Sequence, residues 1–316
     1  MNNCEHIRVV NAHAQIGGYF PMASPTKRTR IRVVPHFSRL QEWIALDAGF
    51  FQEEGLEPEM LPDVMHAVSS HQGDQYGQRP QDLPFVQQME VVNSACQWGT
   101  ACNAGAGMGK LVPDLYTVGR FAIFTKPGSK VQRLADLRDI PIGIGEMAGS
   151  HFTTLGVLEQ VLPRKHIRTV HTGGPGQRLL ALLQGEIEAA TLLDPEIAIA
   201  EAKGLLELAR GEFLITFWVS PNIDRGVLNA YFRALKRADE TLSQNPDKYI
   251  HLWERNIPAA LKGEYDYSTF GLGEKFVFES YTEEMFQNAI QFAEKWNLHT
   301  HIQDNQYNHL IVLAGI

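Results

Sequence analysis

The segment HFSRLQEWIALDAGFFQEEGLEPEM, residues 36–60, contains the signals of one helix and the start of a strand. It follows IRVVP at 31–35, an apolar run that is typical of a β-strand. Apolar residues recur at helical spacing within it, at Leu40, Trp43, Ile44 and Ala48, and predict an amphipathic helix over 38–48. LEPEML at 56–61 then predicts a second strand. A strand, a helix and a strand in this order favour an α/β fold with parallel pairing.

Strand and helix signals continue to alternate through the rest of the chain. Two long β runs, at 115–126 and 213–220, interrupt the alternation and predict two crossings between two α/β lobes, with a hinge and a ligand cleft between them. After residue 224 the pattern predicts helices only. We expect the following division: an N-terminal extension at 1–30, a discontinuous first lobe at 31–120 and 217–316, and an inserted second lobe at 121–216.

Composition limits the possible functions. The net charge of -8 gives no basic surplus, which argues against a nucleic acid partner. No apolar run reaches the roughly 18 residues that would span a bilayer, so we expect no membrane insertion. Three cysteines and the lack of an apolar signal region near the start favour a cytoplasmic location. A periplasmic location is the alternative if the native start differs.

Three stretches carry a family resemblance. WIALDAGFFQEEGLEPEM, LADLRDIPIGIGEMAGSHFTTLGVLEQ and LLALLQGEIEAATLLDPEIAIAEAKG occur in one order along most of 31–250. Together they resemble the type II periplasmic binding proteins, in the group for nitrate, sulfonate, taurine and thiamine-pyrimidine. The resemblance implies a small organic ligand, anionic or aromatic, held in the cleft, and a transporter permease as a possible partner. Cytosolic enzymes related to the aromatic sulfinate desulfinases and the pyrimidine synthases form the alternative.

The exit of the first strand is the first candidate ligand site. In a fold of this kind the helix after the first strand begins at the cleft, so we expect His36, Phe37 and Arg39 to contact a ligand. Ser38 either joins them or only caps the helix. The desulfinase branch has a cysteine directly after its first strand, where this chain has His36.

Further candidates follow later strands. Gly149, Ser150 and His151 begin a helix after a strand, where backbone N–H groups and the helix dipole attract an anion, or where they form only a turn and a cap. Thr172 in HTGGPGQR either reaches a ligand or belongs to a plain strand-to-helix turn. Asp194 in LLDPE either binds a ligand amine or caps the next helix. The glycines near Thr172 lack the spacing of a nucleotide-binding loop, and we expect no cofactor.

Cys96 and Trp98 follow the strand at 89–95. Trp98 is placed to stack on a flat ligand, and Cys96 is either a buried inert thiol or a nucleophile. If the protein is an enzyme, the catalytic candidates are His36, Cys96 and His151. The cysteine spacing is not that of a zinc site, and we expect no metal.

The polar stretch 62–88 is long for a connection in a compact domain. It is either a solvated loop or a lid that brings His71 or Arg79 to the substrate.

From the resemblance and these candidate residues we expect ligand binding as the first function, with catalysis in the same cleft as the alternative.

Overall fold

A computed structural model of the chain describes residues 28–62 and 81–316. The strands are β1 Thr29–Val33, β2 Leu56–Met60, β3 Val91–Cys96, β4 Lys110–Thr125, β5 Pro141–Ile144, β6 Arg168–His171, β7 Ala189–Leu193, β8 Leu206–Val219 and β9 Lys275–Val277. The α-helices are α1 Gln41–Asp47, α2 Phe50–Glu53, α3 Leu83–Val86, α4 Gln97–Gly105, α5 Gly149–Leu158, α6 Pro175–Gln184, α7 Glu196–Ala202, α8 Arg225–Gln244, α9 Pro246–Tyr249, α10 Glu283–Lys295 and α11 Tyr307–Leu310.

Within the described residues one mixed sheet has the strand order β2-β1-β3-β8-β4-β7-β5-β6, with β9 paired to β4. Two parallel groups lie at its ends. β1 pairs with β2 and β3 in one group, and β5 pairs with β6 and β7 in the other. The expected parallel pairing is therefore found within each group, and the pairing between the groups is antiparallel.

The long strands β4 and β8 join the two groups. They pair with each other from Lys110 opposite Val219 to Thr125 opposite Leu206. One end of β8 also pairs with β3, and one end of β4 also pairs with β7. These are the two crossings that the sequence predicts, although both strands begin several residues earlier than expected.

Burial explains why these segments form their elements. All five residues of β7 are buried, as expected of a strand covered on both faces. Helix α8 buries residues at a spacing of three and four, including Leu228, Tyr231 and Leu235, and packs against α1. Asp224 caps α8 by accepting a hydrogen bond of 2.9 Å from the Val227 N–H.

The structure differs from the expectation in its last third. Strand β9 lies where only helices are predicted, because its three residues are too few to give a clear alternation. Trp218 near the end of β8 is fully buried and stacks on Phe85 with ring centroids 3.7 Å apart. The expected extension at 1–30 lies almost wholly outside the described residues, as do His71 and Arg79 of the expected lid.

Candidate functional site

The carboxyl ends of four strands meet on one apolar cluster. β1 and β3 of the first group lead to Phe37 and Cys96, while β5 and β7 of the second lead to Met147 and Leu193. The cluster, which we call the junction cluster, comprises Phe37, Cys96, Cys102, Phe121, Met147, Phe152, Leu193, Phe213, Ile215 and Ala293. Carboxyl ends of parallel strands are the usual place for ligands in α/β proteins. The junction cluster is therefore the apolar part of the candidate site.

The two strand groups touch directly at the junction cluster. A Cβ atom added to Gly149 would lie 3.3 Å from the Cys96 Cβ and 2.8 Å from a ring carbon of Phe213. One added to Gly99 would lie 3.1 Å from the Met147 carbonyl oxygen. Only glycine allows so close an approach, so the starts of α4 and α5 are in contact. Trp98 packs beside them, with its ring centroid 5.4 Å from that of Phe152.

His36 lies at the exit of β1 and is 4% exposed. Its ring stacks on Phe37 with centroids 4.4 Å apart, which connects it to the junction cluster. Its Nδ1 atom is in direct contact with the Glu274 carboxylate. Ser38 donates a hydrogen bond of 2.6 Å to the same carboxylate oxygen, and Thr117 donates one of 2.6 Å to the other oxygen. Ser38 thus contacts a distant carboxylate and does not cap α1.

Arg39 is buried and belongs to the same polar network. Its Nη2 atom lies 2.6 Å from Glu42 Oε1 and donates a hydrogen bond of 2.7 Å to Ser94. Its Nη1 atom lies 3.4 Å from Glu274 Oε2, and its guanidinium is 4.7 Å from the Phe217 ring centroid. These contacts give Arg39 a structural role. Contact between Arg39 and a ligand stays a prediction.

The carboxylates of this network have shifted pKa values. Burial raises the pKa of Glu42 above its ordinary value, against the opposing effect of the Arg39 guanidinium. Burial also acts to raise the pKa of Glu274, but the nearby His36 and Arg39 outweigh it and lower this pKa to about 2. Glu274 is therefore ionised in the folded protein at neutral pH.

Arg120 on β4 holds Asp194 in a two-bond pair, with both N–O distances 2.8 Å. The same guanidinium donates a hydrogen bond of 3.0 Å to the carbonyl oxygen of Phe270. The Arg120 side chain is 33% exposed, whereas that of Asp194 is 2% exposed. Burial raises the pKa of Asp194, and Arg120 counteracts this effect. Asp194, predicted either to bind a ligand or to cap the next helix, is thus paired with Arg120.

One segment connects the two charged groups. The segment Phe270–Glu274 accepts a hydrogen bond from Arg120 at its start and contacts His36 and Ser38 at its end. Sequence reasoning missed both Glu274 and Arg120, since neither belongs to a recognisable motif. The signal that could have indicated Glu274 is the pair Gly271 and Gly273 just before it. Two closely spaced glycines indicate a backbone with positive φ angles, which both residues have.

The remaining candidates of the second strand group make local hydrogen bonds. Ser150 Oγ accepts a bond of 2.9 Å from the Gly145 N–H, and His151 Nδ1 accepts one of 3.3 Å from the Met147 N–H. Thr172 Oγ1 donates to the Val170 carbonyl oxygen at 3.2 Å. Ser150 and His151 are buried, and Thr172 is partly exposed. Their contact with a ligand stays a prediction.

Cys96 ends β3 and precedes α4. Its sulfur accepts a hydrogen bond from the Gly99 N–H at 3.4 Å, and the residue is 4% exposed. A thiolate at this position would be stabilised by the start of a helix, whereas burial favours the neutral thiol. Both Cys96 and Cys102 are buried thiols.

A second buried pair lies deeper in the second strand group. Arg178 donates hydrogen bonds to the carbonyl oxygens of Thr191 at 2.7 Å and Gly173 at 2.8 Å. Glu196 is buried near this guanidinium, and burial raises the pKa of Glu196 to about 8, with Arg178 opposing the shift. Neither Arg178 nor Glu196 belongs to a pattern that would have indicated this pair.

No helix in the described part of the chain is long and apolar enough to cross a membrane. Residues 28–62 and 81–316 contain no group of three or more histidine, cysteine, aspartate or glutamate residues placed to hold a metal ion.

Two parallel strand groups joined by two long antiparallel strands define the class: the chain has the periplasmic binding protein fold. One solved structure with this fold is the alkanesulfonate-binding protein SsuA from Xanthomonas axonopodis pv. citri bound to MOPS. It is 14% identical, with a TM-score of 0.64, over 91% of this chain and 99% of that chain. A Candida albicans protein described as having the generic periplasmic binding protein fold is 10% identical, with a TM-score of 0.65, over 90% of this chain and 96% of that one.

The desulfurization enzyme DSZB also has this fold. It is 13% identical, with a TM-score of 0.58, over 90% of this chain and 97% of that chain. No family model matches the sequence, and no curated protein matches it. The structural neighbours therefore include both binding proteins and an enzyme, and at these identities they show the fold alone.

Proposed function

We propose that the protein binds a small organic ligand, with an apolar or aromatic body and an anionic group, between two lobes. The lobes are those expected from the sequence, 31–120 with 217–316, and 121–216. The observation that carries the proposal is the junction cluster, where strand ends from both groups meet. A ligand placed there would contact both lobes at once, which is how closure of a hinge gains binding energy.

The side chains around the cluster support this type of ligand. Phe37, Phe121 and Phe213 provide aromatic surface. The ring centroids of Phe121 and Phe213 lie 6.4 Å apart. His36, which stacks on Phe37, adds a polar group beside that surface. An aromatic body with a charged end matches this combination. The neighbour SsuA, described as an alkanesulfonate-binding protein bound to MOPS, agrees with an anionic ligand.

The test uses benzenesulfonate and benzoate as anionic probes and MOPS as a larger sulfonate, with binding followed by calorimetry and thermal shift. We expect at least one probe to bind the wild-type protein. Phe37→Leu should weaken this binding about fivefold or more, because the substitution removes a ring from the ligand surface. Phe286→Leu is the matched control, since Phe286 is also buried, 0% exposed against 8% for Phe37, but belongs to another cluster.

Two outcomes count against the proposal. If none of the probes binds, the assigned ligand class is wrong. If Phe286→Leu weakens binding as much as Phe37→Leu, the ligand does not lie at the junction cluster, and the loss reflects stability alone.

Catalysis in the same place is the second candidate. The observation that favours it is the position of Cys96, which belongs to the junction cluster beside Phe37 and whose sulfur is at the start of α4. The protein should then convert a probe such as benzenesulfinate, and Cys96→Ala should abolish the conversion with folding retained. Recovery of every bound probe unchanged after long incubation would leave binding as the function. A permease partner and the cellular compartment stay predictions from the sequence.

A further inference from the structure

In the polar network at the exit of β1, one guanidinium lies between two carboxyl groups. Arg39, Glu42 and Glu274 are each 2% exposed or less. Arg39 lies 2.6 Å from Glu42 but 3.4 Å from Glu274, so it compensates the ionised Glu274 only in part, and an uncompensated buried charge is costly. Among the described residues, His36 is placed to carry the matching positive charge, because its Nδ1 atom is in direct contact with the Glu274 carboxylate.

The groups around His36 agree with a cationic ring. The Glu274 oxygen that contacts it also accepts from Ser38 at 2.6 Å, so the carboxylate is fixed in orientation. From β4, Thr117 donates to the other oxygen. Tyr231 on α8 lies near Arg39 and Glu42, and burial raises the pKa of this phenol well above its ordinary value, which keeps it neutral.

The second charged pair does not change this balance. Arg120 and Asp194 carry one charge each and are bonded to each other at 2.8 Å. Glu274 is close enough to contribute to the raised pKa of Asp194. The charges of Arg120 and Asp194 nevertheless cancel each other. The buried negative charge that still needs a partner is therefore that of Glu274.

We propose that His36 binds the anionic group of the ligand as an imidazolium, with Glu274 as the positioning residue that fixes the ring and balances its charge. This inference rests on the proposed function and names the charged contact within that site. Nδ1 is directed to Glu274, which leaves Nε2–H as the donor for the ligand. The ring stacks on Phe37, so this donor lies at the edge of the junction cluster.

The first test compares benzenesulfonate with benzenesulfonamide, which have the same ring but differ in charge. Wild-type protein should prefer the anion. In His36→Gln this preference should fall about tenfold or more, because a charge-assisted hydrogen bond is replaced by a neutral one. Binding of the neutral probe should change little. His251→Gln is the matched control, since His251 is exposed and far along the chain.

The second test needs no ligand. The ring nitrogens of His36, observed by nitrogen-15 NMR with assignment from His36→Gln, should show the imidazolium pattern at neutral pH in the wild-type protein. Glu274→Gln should shift the pattern to neutral imidazole. If Glu274→Gln does not fold, Thr117→Val tests the same point, because it removes one hydrogen bond that keeps the carboxylate in place.

The outcomes separate the two proposals. A neutral His36 ring in the wild-type protein overturns the inference even if the probes bind. An unchanged preference for the anion in His36→Gln also overturns it. Failure of both probes to bind wild-type protein, together with an imidazolium signal, overturns the proposed ligand class and not the charge assignment.

Discussion

Ser38 and Glu274 are 236 positions apart in the sequence, yet the Ser38 hydroxyl donates a hydrogen bond of 2.6 Å to the Glu274 carboxylate. The backbones of these residues also meet, since the Glu274 N–H donates to the Ser38 carbonyl oxygen at 2.9 Å. The exit of β1 is therefore held by the segment just before β9. Any change that displaces this segment should affect both stability and the candidate site.

The glycines of this segment give the first prediction. Gly273 has φ +79°, and a Cβ atom there would lie 2.5 Å from the Ser38 carbonyl oxygen, so Gly273→Ala should destabilise by about 3 kcal/mol or more. Gly271 has φ +72° but no atom closer than 3.6 Å to the added Cβ. Gly271→Ala should therefore cost only about 1 kcal/mol, from backbone strain alone. Unfolding in urea measures both, and equal losses would contradict the close approach.

Glu274 should stabilise the fold against acid. Its pKa is lowered to about 2 from the ordinary 4.5, so this carboxylate stays ionised in the folded protein while the unfolded chain takes up a proton. The stabilisation is present above pH 4.5 and is lost as pH falls towards 2, and its size is about 3 kcal/mol. Glu274→Gln should flatten this part of the stability profile, and Glu57→Gln on the exposed part of β2 should not. A profile unchanged by Glu274→Gln would show that other groups determine acid stability.

Local patterns in the sequence were sufficient for most of the fold. Helix α1 and strand β2 were predicted within a few residues, because apolar residues repeat at the period of each element. Strand β4 extends back to Lys110, further than predicted, because an irregularity in its pairing between Val112 and Tyr116 hides the alternation. Strand β9 was missed for its shortness.

The candidate site was only partly predictable. Residues that follow strands, such as His36 and Cys96, could be identified because strand ends can be located from local patterns. Their partners could not, because Glu274 and Arg120 reach the site through contacts between distant segments. Charge balance depends on such contacts. A single sequence therefore indicates where a site lies more readily than which charges it contains.

Glu196 gives the opposite pH dependence to Glu274. Burial raises its pKa from 4.5 to about 8, so the folded protein holds a proton that the unfolded chain has lost. Stability should decrease as pH rises from 4.5 to about 8, by about 5 kcal/mol at most. Glu196→Gln should remove this decrease, whereas Glu186→Gln, at an exposed position, should leave it. Chemical denaturation across this range measures the effect, and a slope that survives Glu196→Gln would assign it elsewhere.

The pair Arg120 and Asp194 should be energetically coupled. Arg120→Met leaves the buried Asp194 carboxylate without its two hydrogen bonds of 2.8 Å, and Glu274 lies near enough to repel it. Arg120→Met should therefore lower the free energy of unfolding more in the wild-type protein than in the Asp194→Asn variant. A double-mutant cycle should give a coupling energy of about 1–3 kcal/mol, less than for a fully buried pair because Arg120 is 33% exposed.

The matched cycle uses Arg133 and Asp136, an ion pair of 3.2 Å in which the arginine is 78% exposed. Its coupling energy should be much smaller than that of Arg120 and Asp194, since water screens exposed charges. Equal coupling energies in the two cycles would mean that solvent reaches Asp194 as freely as it reaches Asp136. Arg120 would then contribute little to joining β4 to the end of β7. A larger coupling energy for Arg120 and Asp194 would show that this pair connects β4 to the end of β7. The segment Phe270–Glu274, which Arg120 also contacts, would then be held in the same relative position.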